Sequence, residues 1–127
     1  MAKVVMVALG GAAGSILRYL VGGWTQKLTS GSFPVGTLVV NVLGCFLLGF
    51  LGAAFSRYVL ARDEYRLLLL TGGLGAFTTF STYGYETLLL ANDGQRWLAM
   101  ANILLSNVVG LGGVWAGYRL AERFYGA

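Results

Sequence analysis

Hydrophobic positions run along this chain in long uninterrupted blocks. No charged side chain occurs in residues 28–56, 67–85 or 97–118. Each block exceeds the roughly 18 apolar residues that a bilayer-spanning helix needs. Residues 4–17 are uncharged as well. That block extends past Arg18 to Trp24 if the guanidinium snorkels or faces a polar space. The pattern predicts an all-α membrane protein with four transmembrane helices, about 4–23, 34–55, 66–90 and 96–119, forming one domain over residues 1–127. The connections are short, so whatever the chain does is expected to happen within the membrane.

The polar positions inside these blocks carry the information. The third block holds Gly72-Gly73-Leu74-Gly75-Ala76-Phe77-Thr78-Thr79-Phe80-Ser81-Thr82. Three glycines followed by two β-branched hydroxyl residues are poor helix material. Non-helical backbone survives at membrane depth only where protein buries it or water reaches it. A break in helix 3 is therefore expected, exposing carbonyls, hydroxyls and rings to a passing solute. Phe80 and Tyr83 stand three apart just after it and share a face. Glu86 follows by three more residues, at a pore or at the interface.

Helix 1 carries the small run Gly10-Gly11-Ala12-Ala13-Gly14-Ser15, read as a close-packing surface. Arg18 either snorkels or holds positive potential in a vestibule. Pro34 opens helix 2, whose Thr37, Asn41, Gly44, Leu48 and Gly52 share one face. Asn41 brings two donors and an acceptor into an uncharged segment. It either bonds across to another helix or donates to a permeating anion. Helix 4 aligns Asn102, Ser106, Gly110, Gly113 and Gly117, a stripe suited to helix contact or to a pore wall. Asn107-Val108-Val109-Gly110 echoes Asn41-Val42-Leu43-Gly44, a coincidence in so Val- and Gly-rich a chain.

Composition narrows the function. The 127 residues are 57% hydrophobic and 11% charged, against about 25% charged in soluble domains. There is no histidine, and Cys45 is the one cysteine. Imidazole or thiolate metal centres and an internal disulfide are therefore out. No nucleophile–base pair or carboxylate pair supports an enzyme. The net charge of +4 bears on topology and anion attraction rather than on nucleic acid. Six basic residues (Lys3, Arg57, Arg62, Arg66, Arg119, Arg123) fall on the side of the termini, against Arg18, Lys27 and Arg96. This favours cytoplasmic termini, though weakly enough to allow insertion both ways. Lys3 followed by Val4–Ala13 mimics a secretory signal, but cleavage would strand three helices and is not expected.

The small run ending in Arg18-Tyr19, the Asn41-x-x-Gly44 step and above all the long motif from Gly72 to Thr82 resemble the fluoride-exporting channels known as CrcB or Fluc, over essentially the whole chain. The resemblance implies a passive, fluoride-selective anion channel of the bacterial inner membrane that lowers fluoride toxicity. It implies an antiparallel, dual-topology homodimer with two pores, each lined by both subunits. A structural sodium ion would sit at the dimer centre on the backbone carbonyls of Gly75 and Thr78. The pore aromatics would be Phe80 and Tyr83 and the pore asparagine Asn41. Ser106 would continue the polar track, with Thr37, Thr79, Thr82 and Glu86 beside it and Arg18 in the aqueous vestibule. The family usually carries phenylalanine where this chain has Tyr83, whose phenol adds a donor and an acceptor near the path.

Two other readings compete. A small dual-topology multidrug/proton antiporter needs a membrane-embedded carboxylate, and Glu86, toward a helix end, is the one candidate. A non-transporting membrane subunit would use the glycines for packing and the asparagines as glue, leaving the break and its aromatic pair without a purpose.

Overall fold

The computed structural model describes residues 1–58 and 62–126, and every element among them is helical. Helix α1 spans Ala2–Lys27 and α2 spans Val35–Ala53, continuing as a π-helical turn over Ala54–Tyr58. A third rod is assembled from α3 (Asp63–Arg66), a π-helical stretch (Leu67–Leu74) and α4 (Gly75–Phe77). Helix α5 (Phe80–Asn92) comes after two extended residues, and α6 (Arg96–Tyr125) closes the chain. Among the described residues, three helices are long and apolar enough to cross a membrane: Ala2–Lys27, Val35–Arg57 and Arg96–Tyr125. The third predicted span is present as two pieces, residues 63–77 and 80–92.

The break itself lies later than the glycines suggest. Gly72, Gly73 and Gly75 are all helical, and the chain turns extended at Thr78 (ψ 157°) and Thr79 (φ −150°, ψ 117°). Gly72 and Gly73 serve close approach instead. Gly10 and Gly14 of α1 lie on the carbonyls of Leu68 and Gly73, and Gly72 returns the contact against Val7. The wider π winding brings carbonyls five apart onto glycines four apart on α1. The small run of helix 1 is thus a helix-contact surface, as its composition suggests. A side chain at Gly14 has only backbone to displace. Gly14→Val is expected to cost about 1–3 kcal/mol, read as a lower unfolding midpoint of the detergent-solubilised protein.

Helix α2 packs along α6 by the same device. Gly49 meets the Val114 carbonyl, and Gly117 meets the Phe46 carbonyl. Ala53, Ala54 and Ala121 form the buried cluster at that end. Of the predicted stripe on the last helix, Gly110, Gly113 and Gly117 face α2, while Asn102 turns its amide to Thr87 of α5; Asn102, Gly110 and Gly117 are buried. The loop before α2 is tied by Gln26, whose Nε2 donates to the Phe33 carbonyl (3.1 Å) and whose Oε1 accepts from Gly36 N–H (2.9 Å). That bond satisfies one of the free donors of the α2 N-terminus. Ser32 bonds Gln95, joining this loop to the α5–α6 turn at Gly94.

Candidate functional site

The break is held open by Asn41. Its Oδ1 accepts from Thr79 N–H at 2.7 Å, and its Nδ2 donates to the Thr79 carbonyl at 3.0 Å. One side chain of α2 thereby satisfies both backbone groups of an extended residue, as a strand partner would. Of the two readings open for Asn41, the structure realises the bond across helices. The amide's second N–H remains unpaired among the described residues. Gly44, one turn along α2, admits the Thr78 methyl, which a Cβ would overlap. The Asn41-x-x-Gly44 step therefore reads as a socket for Thr78–Thr79.

Thr79 also caps α5. Its Oγ1 accepts from Thr82 N–H at 3.2 Å and donates to Thr82 Oγ1 at 3.0 Å. This is the N-cap role that threonine performs well. It leaves the Thr82 hydroxyl proton without an acceptor among the described residues. In an unbroken helix the i+4 donors of the Gly75 and Thr78 carbonyls would be the N–H groups of Thr79 and Thr82. Asn41 and Thr79 have taken both. The break thus offers two polarities. Carbonyls released at the end of the third rod favour a cation, and the N-terminus of α5 favours an anion.

Two clefts meet at this point. The first, about 410 Å³, is lined by Arg18, Thr37, Thr82 and Glu86 along with residues of α1. The second, about 280 Å³, is lined by Asn41, Gly75, Thr78, Phe80, Tyr83 and Ser106, among others. Among the described residues, Thr79 is the one common to both linings. All eleven residues expected from the sequence therefore line one or other of the two clefts: Arg18, Thr37, Thr82 and Glu86 the first, Asn41, Gly75, Thr78, Phe80, Tyr83 and Ser106 the second, and Thr79 both.

Their hydrogen bonds differentiate them. Thr37 donates its proton to Glu86 Oε1 (2.8 Å), while Glu86 Oε2 is buried with no partner among the described residues. Arg18 lines the same cleft. Phe80 and Tyr83 pack with ring centroids 5.4 Å apart at 51°, so their positive edges can converge. Phe80 is nevertheless 81% exposed on the single chain. Ser106 donates to Asn102 Oδ1 (3.2 Å), Asn102 Nδ2 donates to Thr87 Oγ1 (2.9 Å), and Thr87 donates to the Tyr83 carbonyl (2.7 Å). Asn102 is 1% exposed, so this chain is a buried network pinning α5 to α6.

Sequence reasoning gives Thr87 and Asn107 no role and reads Asn102 only as part of a stripe. Each lies four residues from a partner or a candidate: Thr87 from Tyr83, Asn102 from Ser106, Asn107 from Ile103. That helical spacing is the signal that could have found them.

The comparisons with known proteins agree with this geometry. The profile of the family described as CrcB-like protein, Camphor Resistance (CrcB), matches residues 5–118. A protein of Helicobacter pylori (strain G27) is 46% identical, the match covering 94% of this chain and 92% of the relative. One of a Nitratiruptor species is 44% identical with the same coverage. One of Agrobacterium fabrum is 43% identical over 98% of this chain and 100% of the relative. Each of the three bears the name Fluoride-specific ion channel FluC. With its motif seated around the break and the match running nearly end to end, the chain belongs to the CrcB family.

Proposed function

We propose that this protein is a passive, fluoride-selective anion channel that exports fluoride from the cytoplasm of a bacterium. The observation that carries the reading is the Asn41–Thr79 pair of hydrogen bonds. It fixes an extended step between two clefts that carry polar side chains in an otherwise apolar chain. The names of the relatives supply the ion. Fluoride is small and strongly hydrated, so its path must offer several aligned donors yet bind weakly enough to release it. Arg18 draws anions into the first cleft. The Thr82 hydroxyl, the free Asn41 N–H and the α5 N-terminus then replace water around the ion. The ring edges of Phe80 and Tyr83 carry it onward without any formal charge to trap it. Ser106 continues the polar side of the same cleft. Export needs no pump. Hydrogen fluoride enters neutral and dissociates inside, and the membrane potential drives the anion out.

The working unit in this reading is an antiparallel homodimer with two pores, the broken rods and α5 supplying the fourth span of each chain. Gly75 and Phe80 are exposed beside a backbone step that lipid cannot satisfy. A second copy across a two-fold axis would cover it on both chains at once. The freed carbonyls of Gly75 and Thr78 fit a hard cation such as sodium. Bound there, it would join the two chains and add positive potential beside the anion path. Glu86 engages Thr37 with one oxygen, and the names of the relatives disfavour the proton-coupled antiporter.

The test is anion efflux from liposomes, followed with an ion-selective electrode. Fluoride should leave rapidly only when a potassium ionophore releases the charge, and chloride should be retained. Folded protein that passes no fluoride, or passes chloride equally fast, would refute the reading.

A further inference from the structure

Asn107 of α6 makes two hydrogen bonds with the same nitrogen. Nδ2 donates to the Ile103 carbonyl at 2.8 Å and to the Tyr83 hydroxyl at 3.3 Å. A carbonyl can only accept, so the Ile103 bond fixes which end of the amide faces Tyr83. Tyr83 Oη therefore receives a proton there rather than giving one. Its own O–H has no acceptor among the described residues. A phenol proton prefers the ring plane, with two orientations. A donor seated on one side of the oxygen leaves the proton the other. Tyr83 and Asn107 both line the 280 Å³ cleft with Asn41, Phe80 and Ser106. Of these, Ser106 has already committed its proton to Asn102.

We propose that Asn107 is a positioning residue for the anion path: by donating to the Tyr83 oxygen, it holds the phenol proton toward the cleft as a further fluoride donor. This rests on the fluoride-channel reading above. It gives the second aromatic two functions, a ring edge and an oriented O–H. A compact, strongly accepting anion gains more from such a donor than chloride does, so the pair also sharpens selectivity. The contact is a binding contact. Its loss should weaken fluoride occupancy rather than slow departure.

The experiment compares four proteins in the ionophore-dependent efflux assay over a range of fluoride concentrations: the unaltered chain, Tyr83→Phe, Asn107→Leu and the double variant. Tyr83→Phe is expected to raise the half-saturating fluoride concentration about two- to tenfold, the range one hydrogen bond commands, without lowering the saturating rate. Asn107→Leu should raise it in the same direction and add nothing once Tyr83 is phenylalanine. A merely structural asparagine would instead lower the saturating rate, equally in both backgrounds, and that result would overturn the proposal. So would an unchanged half-saturation in Tyr83→Phe, which removes a single oxygen and decides the matter even if Asn107→Leu does not fold. If the unaltered chain passes no fluoride, the channel reading fails before this one is reached.

Discussion

Replacing Asn41 by alanine is expected to lower fluoride efflux at least about a hundredfold, a barrier rise near 2.7 kcal/mol. The substitution removes the acceptor for Thr79 N–H and the donor to its carbonyl together. Leaving buried polar groups without partners costs about 1–3 kcal/mol each, and in an apolar surrounding the backbone has a less costly alternative. Thr79 N–H can return to the Gly75 carbonyl, rewinding the third rod into α5. That rewinding would close the step joining the two clefts and withdraw one of the two carbonyls proposed to hold a sodium ion. Asn41→Asp tests the mechanism, because it keeps the acceptor for Thr79 N–H and loses only the donor. It should retain more of the extended geometry than alanine does, while its charge repels the ion. Hydrogen exchange at Thr79 reads the rewinding directly. An Asn41→Ala protein with normal flux would show that the extended step holds without its side-chain partner.

The helices are legible because charge-free blocks announce themselves in lipid, and α1, α2 and α6 occur where those blocks lie. The break is legible as an event but misplaced in cause. Glycine reads as the breaker, whereas Gly72, Gly73 and Gly75 stay wound, and close packing on α1 compensates the backbone freedom of Gly72 and Gly73. What breaks the helix is competition: Asn41 and Thr79 Oγ1 capture the N–H groups the helix would have used. That contest joins residues 38 positions apart, and no local propensity records it. The motif names the candidate residues, but their division into two clefts around Thr79 depends on how α1 and α6 flank the break. The destinations of protons are likewise invisible. Thr37 and Ser106 read in sequence as members of a polar track, and both hydroxyls turn out to be engaged, with Glu86 and Asn102. Asn107 reads as half of a chance echo because its partner, Tyr83, lies on a different helix.

Phe80→Ile is expected to abolish fluoride efflux, by roughly two to three orders of magnitude, while leaving the fold and assembly unchanged. Within one chain the Phe80 side chain is 81% exposed, and its ring contact among the described residues is with Tyr83. It therefore contributes little to holding its own subunit together, and its size is not needed for the Asn41–Thr79 step. It lines the 280 Å³ cleft, and what the proposed path asks of it is a ring edge, which the quadrupole makes positive. An aliphatic side chain of similar bulk has no such edge. An ion leaving the α5 N-terminus would then cross an apolar gap with its charge uncompensated, and a few kcal/mol of added barrier suffices for the stated loss. Phe80→Tyr separates edge from size: it keeps the quadrupole and should keep measurable flux. The decisive pairing is flux against oligomeric state for the same Phe80→Ile preparation. Lost flux from an intact assembly assigns Phe80 to the path. Lost flux together with a dissociated assembly would instead make Phe80 an interface residue, and the exposed ring would be the surface that a second subunit covers.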